Sequence, residues 1–405
     1  MVKNAIDLGQ NLTYLMVSVA LMKKLTWAQV CARRLARHGL ATPLPGGPAD
    51  VAAAVAGTHA QVLSAAELSI ALRLDGATRQ TVQDALWKTR DLVKVFGPRG
   101  TVHLLPTREL PMWVGVMSEA PLRLPTPPGP VGMTREQTDQ VLDAIDHAVA
   151  DAELTVDELT DAVVAAAGSW AGDPVMEAFQ GKWPRWRQAL PLAGLRGLVC
   201  FGPNRGRRTT YTSPRRWLPD LAPATNAVPE VLRRYLHAFG PSTPERFANW
   251  LTTPEPWARE VFRSADLSPV SVDGEEHWVS RGDSEAPDEP PRGLRLLPYF
   301  DTYAYAVGND RVRLNPGKAA TRAKGNFQVL LVDGVVGGLW HQKRAGRRIQ
   351  LTVEPFRPLT AARRRELDEQ VDRVGKILAG TPELTIGEVT VGGTRVVLAP
   401  PSESG

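Results

Sequence analysis

The 405-residue chain has only two cysteines, Cys31 and Cys200, far apart and outside any CxxC pair. That excludes a disulfide scaffold and a cysteine-rich zinc module, and it suits a reducing compartment such as the cytoplasm. No Walker A loop, HExxH or GxSxG stretch occurs, so the common signatures of nucleotide hydrolysis, zinc proteolysis and serine esterase chemistry are missing. The seven histidines are scattered without ligand spacing, and neither a metal nor a cofactor is expected. No pair of carboxylates stands out for acid–base work. Long apolar runs are lacking too. Residues 12–22 are too few to span a bilayer, and Lys23 and Lys24 put charge on the wrong side for a signal peptide. Residues 1–21 therefore read as an upstream extension with the true start at Met22, and no membrane partner is expected.

Hydrophobic residues make up 43% and charged residues 22%, ordinary values for a globular chain. The net charge is +5, and lysine supplies only ten of the 48 basic residues. The arginine excess has two readings. One is codon bias in a GC-rich genome; the other is a surface for phosphate.

Three times the sequence reads as helix, helix, helix and two-stranded hairpin, the order of a winged helix-turn-helix. In the first copy (22–120) Thr26 with Gln29 makes a capping box, and Gly39 stops the helix. Ser64 with Glu67 suggests a second capping box, opening a helix through Arg73. Asp75-Gly76-Ala77-Thr78 leads to a third helix over 79–89, with Val82 and Leu86 inward and Arg79, Gln80, Gln83 and Lys88 outward. Strands at 92–96 and 101–105 are joined by Gly97-Pro98-Arg99-Gly100, a turn with a basic tip.

A Pro-rich linker at 121–130 precedes the second copy (131–222). It has Thr155 with Glu158 as a capping box, Gly168 as a stop and a Trp-rich helix over 183–195. Its wing, at 198–201 and 209–212, carries Arg205, Arg207 and Arg208 at the tip. The third copy (225–282) has helices at 229–239, 243–251 and 255–264 and a hairpin turning at Asp273-Gly274. That tip is acidic, so no phosphate is expected there. Residues 283–291 form an acidic, Pro-rich linker. Region 292–400 reads as a small β-rich domain with strands at 327–332, 335–340 and 349–353 and a charged helix over 361–378. Trp183, Trp186, Trp250 and Trp340 read as core. The expected fold class is α+β, three tandem winged units plus a C-terminal β-rich domain.

One stretch stands out: Gly57-Thr58-His59-Ala60-Gln61-Val62. In an extended segment His59 and Gln61 point one way while Ala60 points inward. The plain alternative is that both cap the following helix or face water. Other motifs follow in order: Arg99-Gly100-Thr101-Val102-His103-Leu104, Cys200-Phe201-Gly202-Pro203, Arg233-Arg234-Tyr235-Leu236 and Gly240-Pro241. Leu296-Leu297-Pro298-Tyr299-Phe300-Asp301 and Val332-Asp333-Gly334 to Gly338-Leu339-Trp340 complete the set. Together these resemble the AlkZ/YcaQ-like winged-helix DNA glycosylases, which remove alkylated purines and unhook interstrand cross-links. The resemblance spans about residues 25–358, nearly the whole chain.

It implies three winged helices around a basic concave cleft for duplex DNA. His59 and Gln61 occupy the family's Gln-Φ-Gln motif, and by that resemblance they are the catalytic pair in the cleft. A β-hairpin is also needed there, and it is expected at residues 311–324, with Lys318, Arg322 and Lys324 facing DNA. This chain departs from the commoner pattern in having His59 in place of the first Gln. Family members with His resemble self-resistance enzymes of organisms that make bulky N7-guanine alkylators.

The chemistry is consistent with the missing carboxylates. Alkylation at guanine N7 makes the base cationic, so it departs neutral without a proton. What remains is to place a water, and positioning alone supplies several kcal/mol, up to ~7–11 in ideal cases. Gln61 can hold water through its amide oxygen and donate through its NH2. His59 could act as a true base, with activity falling below its ordinary titration point near pH ~6.5. Without a lysine in the motif no Schiff base is expected, hence a monofunctional enzyme. Phosphate candidates are Arg79, Lys88, Arg99, Arg205, Arg207 and Arg208. Phe300 is given no chemistry, and Asp301 reads as a buried acid holding a turn. The expected partner is double-stranded DNA carrying alkylated guanine, bound by a monomer in the cytoplasm at the nucleoid. Two other readings stay open here: a non-catalytic winged-helix regulator of transcription, and a protein that binds adducts without cutting.

Overall fold

The computed structural model describes residues 22–124, 131–178, 181–305, 310–323 and 327–390. The expected extension at 1–21, and Lys324, lie outside the described residues.

Local signals account for most helices. Thr26 and Gln29 close a reciprocal capping box on helix Trp27–Arg37, and Gly39 follows its end at φ 67°. Thr78 does the same with Thr81 for helix Arg79–Trp87, whose Val82 and Leu86 are buried. Thr155 and Glu158 cap Val156–Ala167, and Gly168 ends it at φ 108°. The expected Ser64 cap is corrected. Helix Leu63–Ala71 has Val62 at its N-cap with no side-chain bond, while Glu67 is buried and accepts from Arg79 and Gln83. Its carboxylate gains a guanidinium there, a stronger partner than a backbone amide at an exposed end.

The helix–helix–helix–hairpin order occurs three times, but in the first run helix Pro48–Ala54, which the sequence reading did not mark, stands where helix Trp27–Arg37 was expected. Pro48–Ala54, Leu63–Ala71 and Arg79–Trp87 lead to strands Leu92–Phe96 and Val102–Pro106. Arg135–Val149, Val156–Ala167 and Leu190–Leu195 lead to Cys200–Arg205 and Arg208–Thr212. Val228–Phe239, Pro244–Leu251 and Glu255–Ser264 lead to Leu267–Val272 and Glu275–Ser280. The Trp-rich helix expected over 183–195 is instead strand Lys182–Pro184, 3-10 turn Arg185–Ala189 and helix Leu190–Leu195. Pro184 and Pro191 explain the division, since each is tolerated only where a helix begins. The strand pairs with Pro174–Glu177 and brings Trp183 to the surface, 44% exposed beneath Arg187. Trp183 is therefore no core residue, whereas Trp186, Trp250 and Trp340 are buried.

Pairing between distant segments then builds the sheets. The first two hairpins join through Lys94 and Phe201 into one six-stranded sheet. Its order is Thr58–His59, Val102–Pro106, Leu92–Phe96, Cys200–Arg205, Arg208–Thr212 and Leu154–Thr155. Strand Lys23–Leu25 runs parallel to Leu267–Val272, and Arg34 and Arg37 donate to the carbonyls of Phe239 and His237. The first described strand and helix thus pack on the third helical run and its hairpin, not on the first as expected. The C-terminal region is a five-stranded sheet, Leu294–Leu297, Gln328–Val332, Val335–Ala345, Arg348–Pro355 and Thr381–Ile386, with helix Ala361–Ile377 against it.

The hairpin expected at 311–324 is not one. Its described part forms two short helices, Arg311–Leu314 and Ala319–Arg322, around Asn315-Pro316-Gly317. The amides of Asn315 and of residues 319–323 bond to carbonyls three or four residues back, as Arg322 N–H does to Lys318 O, which is a helical pattern and not a strand ladder. The basic hairpin of this region is the long pair Val335–Ala345 and Arg348–Pro355, with Lys343, Arg344, Arg347 and Arg348 toward its turn.

Candidate active site

Strand Thr58–His59 lies antiparallel to Val102–Pro106, with Thr58 opposite Leu104 and His59 opposite His103. Gly57 makes the turn into it at φ 95°, and a Cβ there would come 2.9 Å from Leu105 Cδ2. Glycine alone suits both demands. Ala60 points inward as expected: it is fully buried, and its N–H donates to Val102 O at 2.7 Å.

His59 is 7% exposed. Its ring centroid lies 4.7 Å from that of Phe300, 5.3 Å from His103 and 5.6 Å from Tyr305. These residues, with Arg99 and Thr302, surround a cavity of about 10 Å³, the lower limit for one water. His59 Nδ1 is buried with no hydrogen-bond partner among the described residues. Leaving such an atom unmatched costs about 1–3 kcal/mol, so this nitrogen is primed to bond an incoming group.

Arg99 sits in the left-handed region at φ 62°, in the turn Pro98–Gly100. That conformation directs its side chain to the cavity beside His59, not off a wing tip as the sequence suggested. Burial, and then the Arg99 charge, push His59 down to about 3. Burial, with His59 and Arg99, drives His103 well below the ordinary range. Desolvation also lowers Arg99, offset in part by Tyr305. His103 Nδ1–H donates to Thr101 O at 2.8 Å, which leaves its Nε2 as the acceptor. The expected titration of His59 near neutrality is therefore corrected. The imidazole is neutral at physiological pH, and at such a depressed value it is a feeble base but still a good hydrogen-bond acceptor.

Gln61 is exposed, two residues from His59 and next to Val62, which is 39% exposed. It lies outside the walls of the His59 cavity. The pair therefore divides: imidazole in the wall, carboxamide in solvent. The phosphate candidates are mostly matched by carboxylates. Arg79 pairs with Glu67, Lys88 with Asp84 at 2.8 Å and Arg208 with Asp157 at 3.1 Å. Arg205 holds Glu158 at 2.8 Å and the Glu153 carbonyl at 2.7 Å. Arg207 is exposed and in no ion pair among the described residues. Lys318 and Arg322 both reach Glu354, which turns them toward the C-terminal sheet.

Sequence reasoning missed Phe300, Tyr305 and His103 as neighbours of His59. His103 was within reach, because it is the residue directly across the strand pair. Phe300 comes from the far end of the chain, and no local pattern links it to residue 59. Among the described residues no group of side chains could hold a metal ion, and no helix is long and apolar enough to cross a membrane.

Residues 52–377 match the family model described as DNA glycosylase AlkZ-like. An interstrand DNA cross-link repair glycosylase of Streptomyces sahachiroi is 32% identical over 349 residues, covering 82% of this chain and 91% of the relative. The solved structure of the Streptomyces sahachiroi DNA glycosylase AlkZ superposes with a TM-score of 0.75 at 28% identity, covering 90% of this chain and all of that one. With the fold, the His59 strand and this match in hand, the chain belongs to the AlkZ-like DNA glycosylases.

Proposed function

We propose that this enzyme hydrolyses the N-glycosidic bond of bulky N7-alkylguanine adducts and cross-links in duplex DNA, acting as a monomer, with His59 and Gln61 as its catalytic pair. The observation that carries this is the setting of His59: a neutral imidazole in the wall of a small cavity, with a buried unmatched nitrogen and the Arg99 charge beside it. The relative named for interstrand cross-link repair supports the substrate class. A cationic N7-alkyl base leaves without protonation, so the site needs no acid. His59 accepts a hydrogen bond from a water and Gln61 orients it from the solvent side. Self-resistance to a DNA-alkylating natural product is the biological setting this reading favours.

Binding is assigned to the wing of the second unit, Arg205, Arg207 and Arg208, with Arg79 and Lys88 at the edge of the first. The pairs of Lys88, Arg205 and Arg208 are exposed and worth about 0–1 kcal/mol, weak enough for phosphate to displace the carboxylates, whereas Arg79 is held by the buried Glu67 and is the weakest of these candidates. Duplex DNA carrying N7-alkylguanine, incubated with pure enzyme and then treated with hydroxide, should break at the lesion. His59→Ala and Gln61→Ala should each suppress those breaks. Undiminished breakage in both variants refutes the site, and no breakage on any alkylated duplex refutes the activity.

A further inference from the structure

A buried ion pair, Arg73 with Asp301, lies next to Phe300 in the cavity wall. Arg73 and Asp301 are 0% and 1% exposed. Arg73 Nη1 and Nη2 donate to Asp301 Oδ2 and Oδ1 at 2.9 and 2.8 Å. Ser69 Oγ donates to Oδ2 at 2.7 Å, and the Tyr303 N–H to Oδ1 at 3.0 Å. Burial opposes ionisation of Asp301, but Arg73 and these hydrogen bonds outweigh it and hold the carboxyl below its usual range. Asp301 thus holds a turn, and the turn it holds is unusual. Phe300, directly before it, has φ 58°, a conformation that a bulky residue adopts only when its surroundings impose it. That turn lays the Phe300 ring against His59 at an interplanar angle of 33°, with Tyr305 edge-on to Phe300 at 5.1 Å. Ser69 and Arg73 come from the helix that follows Gln61 and from its end, whereas Phe300, Asp301 and Tyr305 come from the C-terminal region.

We infer that Ser69, Arg73 and Asp301 form a positioning lock: they pin the left-handed turn at Phe300, which presses the aromatic wall onto His59 and keeps its imidazole oriented and shielded from bulk solvent. The lock joins the helix that follows the His59 strand to the C-terminal region, so the setting of the imidazole is assembled from both ends of the chain. The charged and titratable groups facing His59 are Arg99 from the Pro98–Gly100 turn, His103 from the paired strand and Tyr305 from the C-terminal segment. None of them is removed by loosening the lock, so a change in His59 reports the wall itself. This inference rests on His59 as the working imidazole.

The test is an NMR titration of the His59 ring in the full chain, assigned by the signal lost in His59→Gln, beside single-turnover excision and duplex-DNA affinity. In the unaltered protein His59 should not titrate between about pH 5 and 8. Phe300→Gly keeps the positive φ without strain and removes only the ring. His59 should then titrate inside that window, and excision should slow about tenfold to a hundredfold, as a small misplacement of a reacting group does. DNA affinity should be unchanged. Phe300→Leu should restore most of the rate. Asp301→Asn should move His59 the same way. If the unmatched guanidinium prevents folding, Ser69→Ala loosens the same turn more gently and should give a smaller shift. An unmoved His59 titration in folded Phe300→Gly and Ser69→Ala overturns the lock. The titration does not depend on excision, so survival of activity in His59→Ala would defeat the reading of His59 while the ring signal still decides the lock.

Discussion

A histidine at position 59, where the resemblance expects glutamine, looks like a gain of a base, yet the burial of His59 beside Arg99 argues against that role. Desolvation and Arg99 hold His59 at about 3, so what remains is an acceptor nitrogen, much as an amide oxygen would be. Two outcomes follow. Since the imidazole stays neutral down to its depressed value, excision should be flat with pH between about 5 and 8; a fall centred near pH ~6.5 would mean that the ring titrates freely. His59→Gln should keep most of the activity, whereas His59→Ala should lose about 10²-fold or more, the scale of a positioned polar group. Single-turnover rates on a defined N7-alkylguanine duplex decide both. Spacing alone left His59 and Gln61 open to a plain capping or solvent-facing role, and only the family resemblance made them a candidate pair. Neither could foresee that one would be buried and the other exposed, because burial of His59 depends on Phe300 and Tyr305.

The wing of the second unit behaves as the element its turn residues promised. Gly206 takes φ 65° at the tip, and Arg205, Arg207 and Arg208 flank it. Their standing differs, however. Arg205 is tied to Glu158 and to the Glu153 carbonyl, while Arg207 is unengaged among the described residues. Arg207→Ala should therefore lower the slope of log affinity against log salt by about 0.9, one phosphate contact. Arg205→Ala should change it less; equal effects in an anisotropy titration would argue that the ion pair opens freely. At the other end of this wing Phe201 packs between Phe96 and Tyr211 and under the Lys94 ammonium, where the first two hairpins join. Phe201→Ala should cost about 3–5 kcal/mol of stability in chemical denaturation, the range for a deleted core aromatic. Each hairpin was readable from its glycines and alternating apolar residues. Their fusion was not, since it rests on a register between strands far apart in sequence.

Three histidines that the fold buries, His38, His59 and His103, bear on the stability of the whole molecule. His38 is fully buried, with Nε2 2.8 Å from the Ala238 carbonyl oxygen, and burial holds it at about 3. His59 is held at about 3 as well, and His103 lies lower than usual for the same reason. In the unfolded chain each would take a proton near pH ~6.5. Below that point the unfolded state binds more protons than the folded one, so stability should decline steadily as pH drops from about 6.5 toward 4. A denaturation midpoint that stays constant from about pH 7 to 4 would contradict the burial of these rings.

Capping residues, turn glycines and apolar spacing are short-range facts, and they were enough to mark most helices, the hairpin turns, the acidic third tip and the extended segment bearing His59. They act through backbone geometry within a few residues, which any reader of the chain can reconstruct. Partners separated by hundreds of residues obey no such rule. The joining of the first two wings, the docking of Lys23–Leu25 on the third hairpin and the Arg73–Asp301 pair behind Phe300 emerged only from packing. So did the protonation of His59, because the local dielectric and the nearest charge are properties of a folded interior and not of a residue's name.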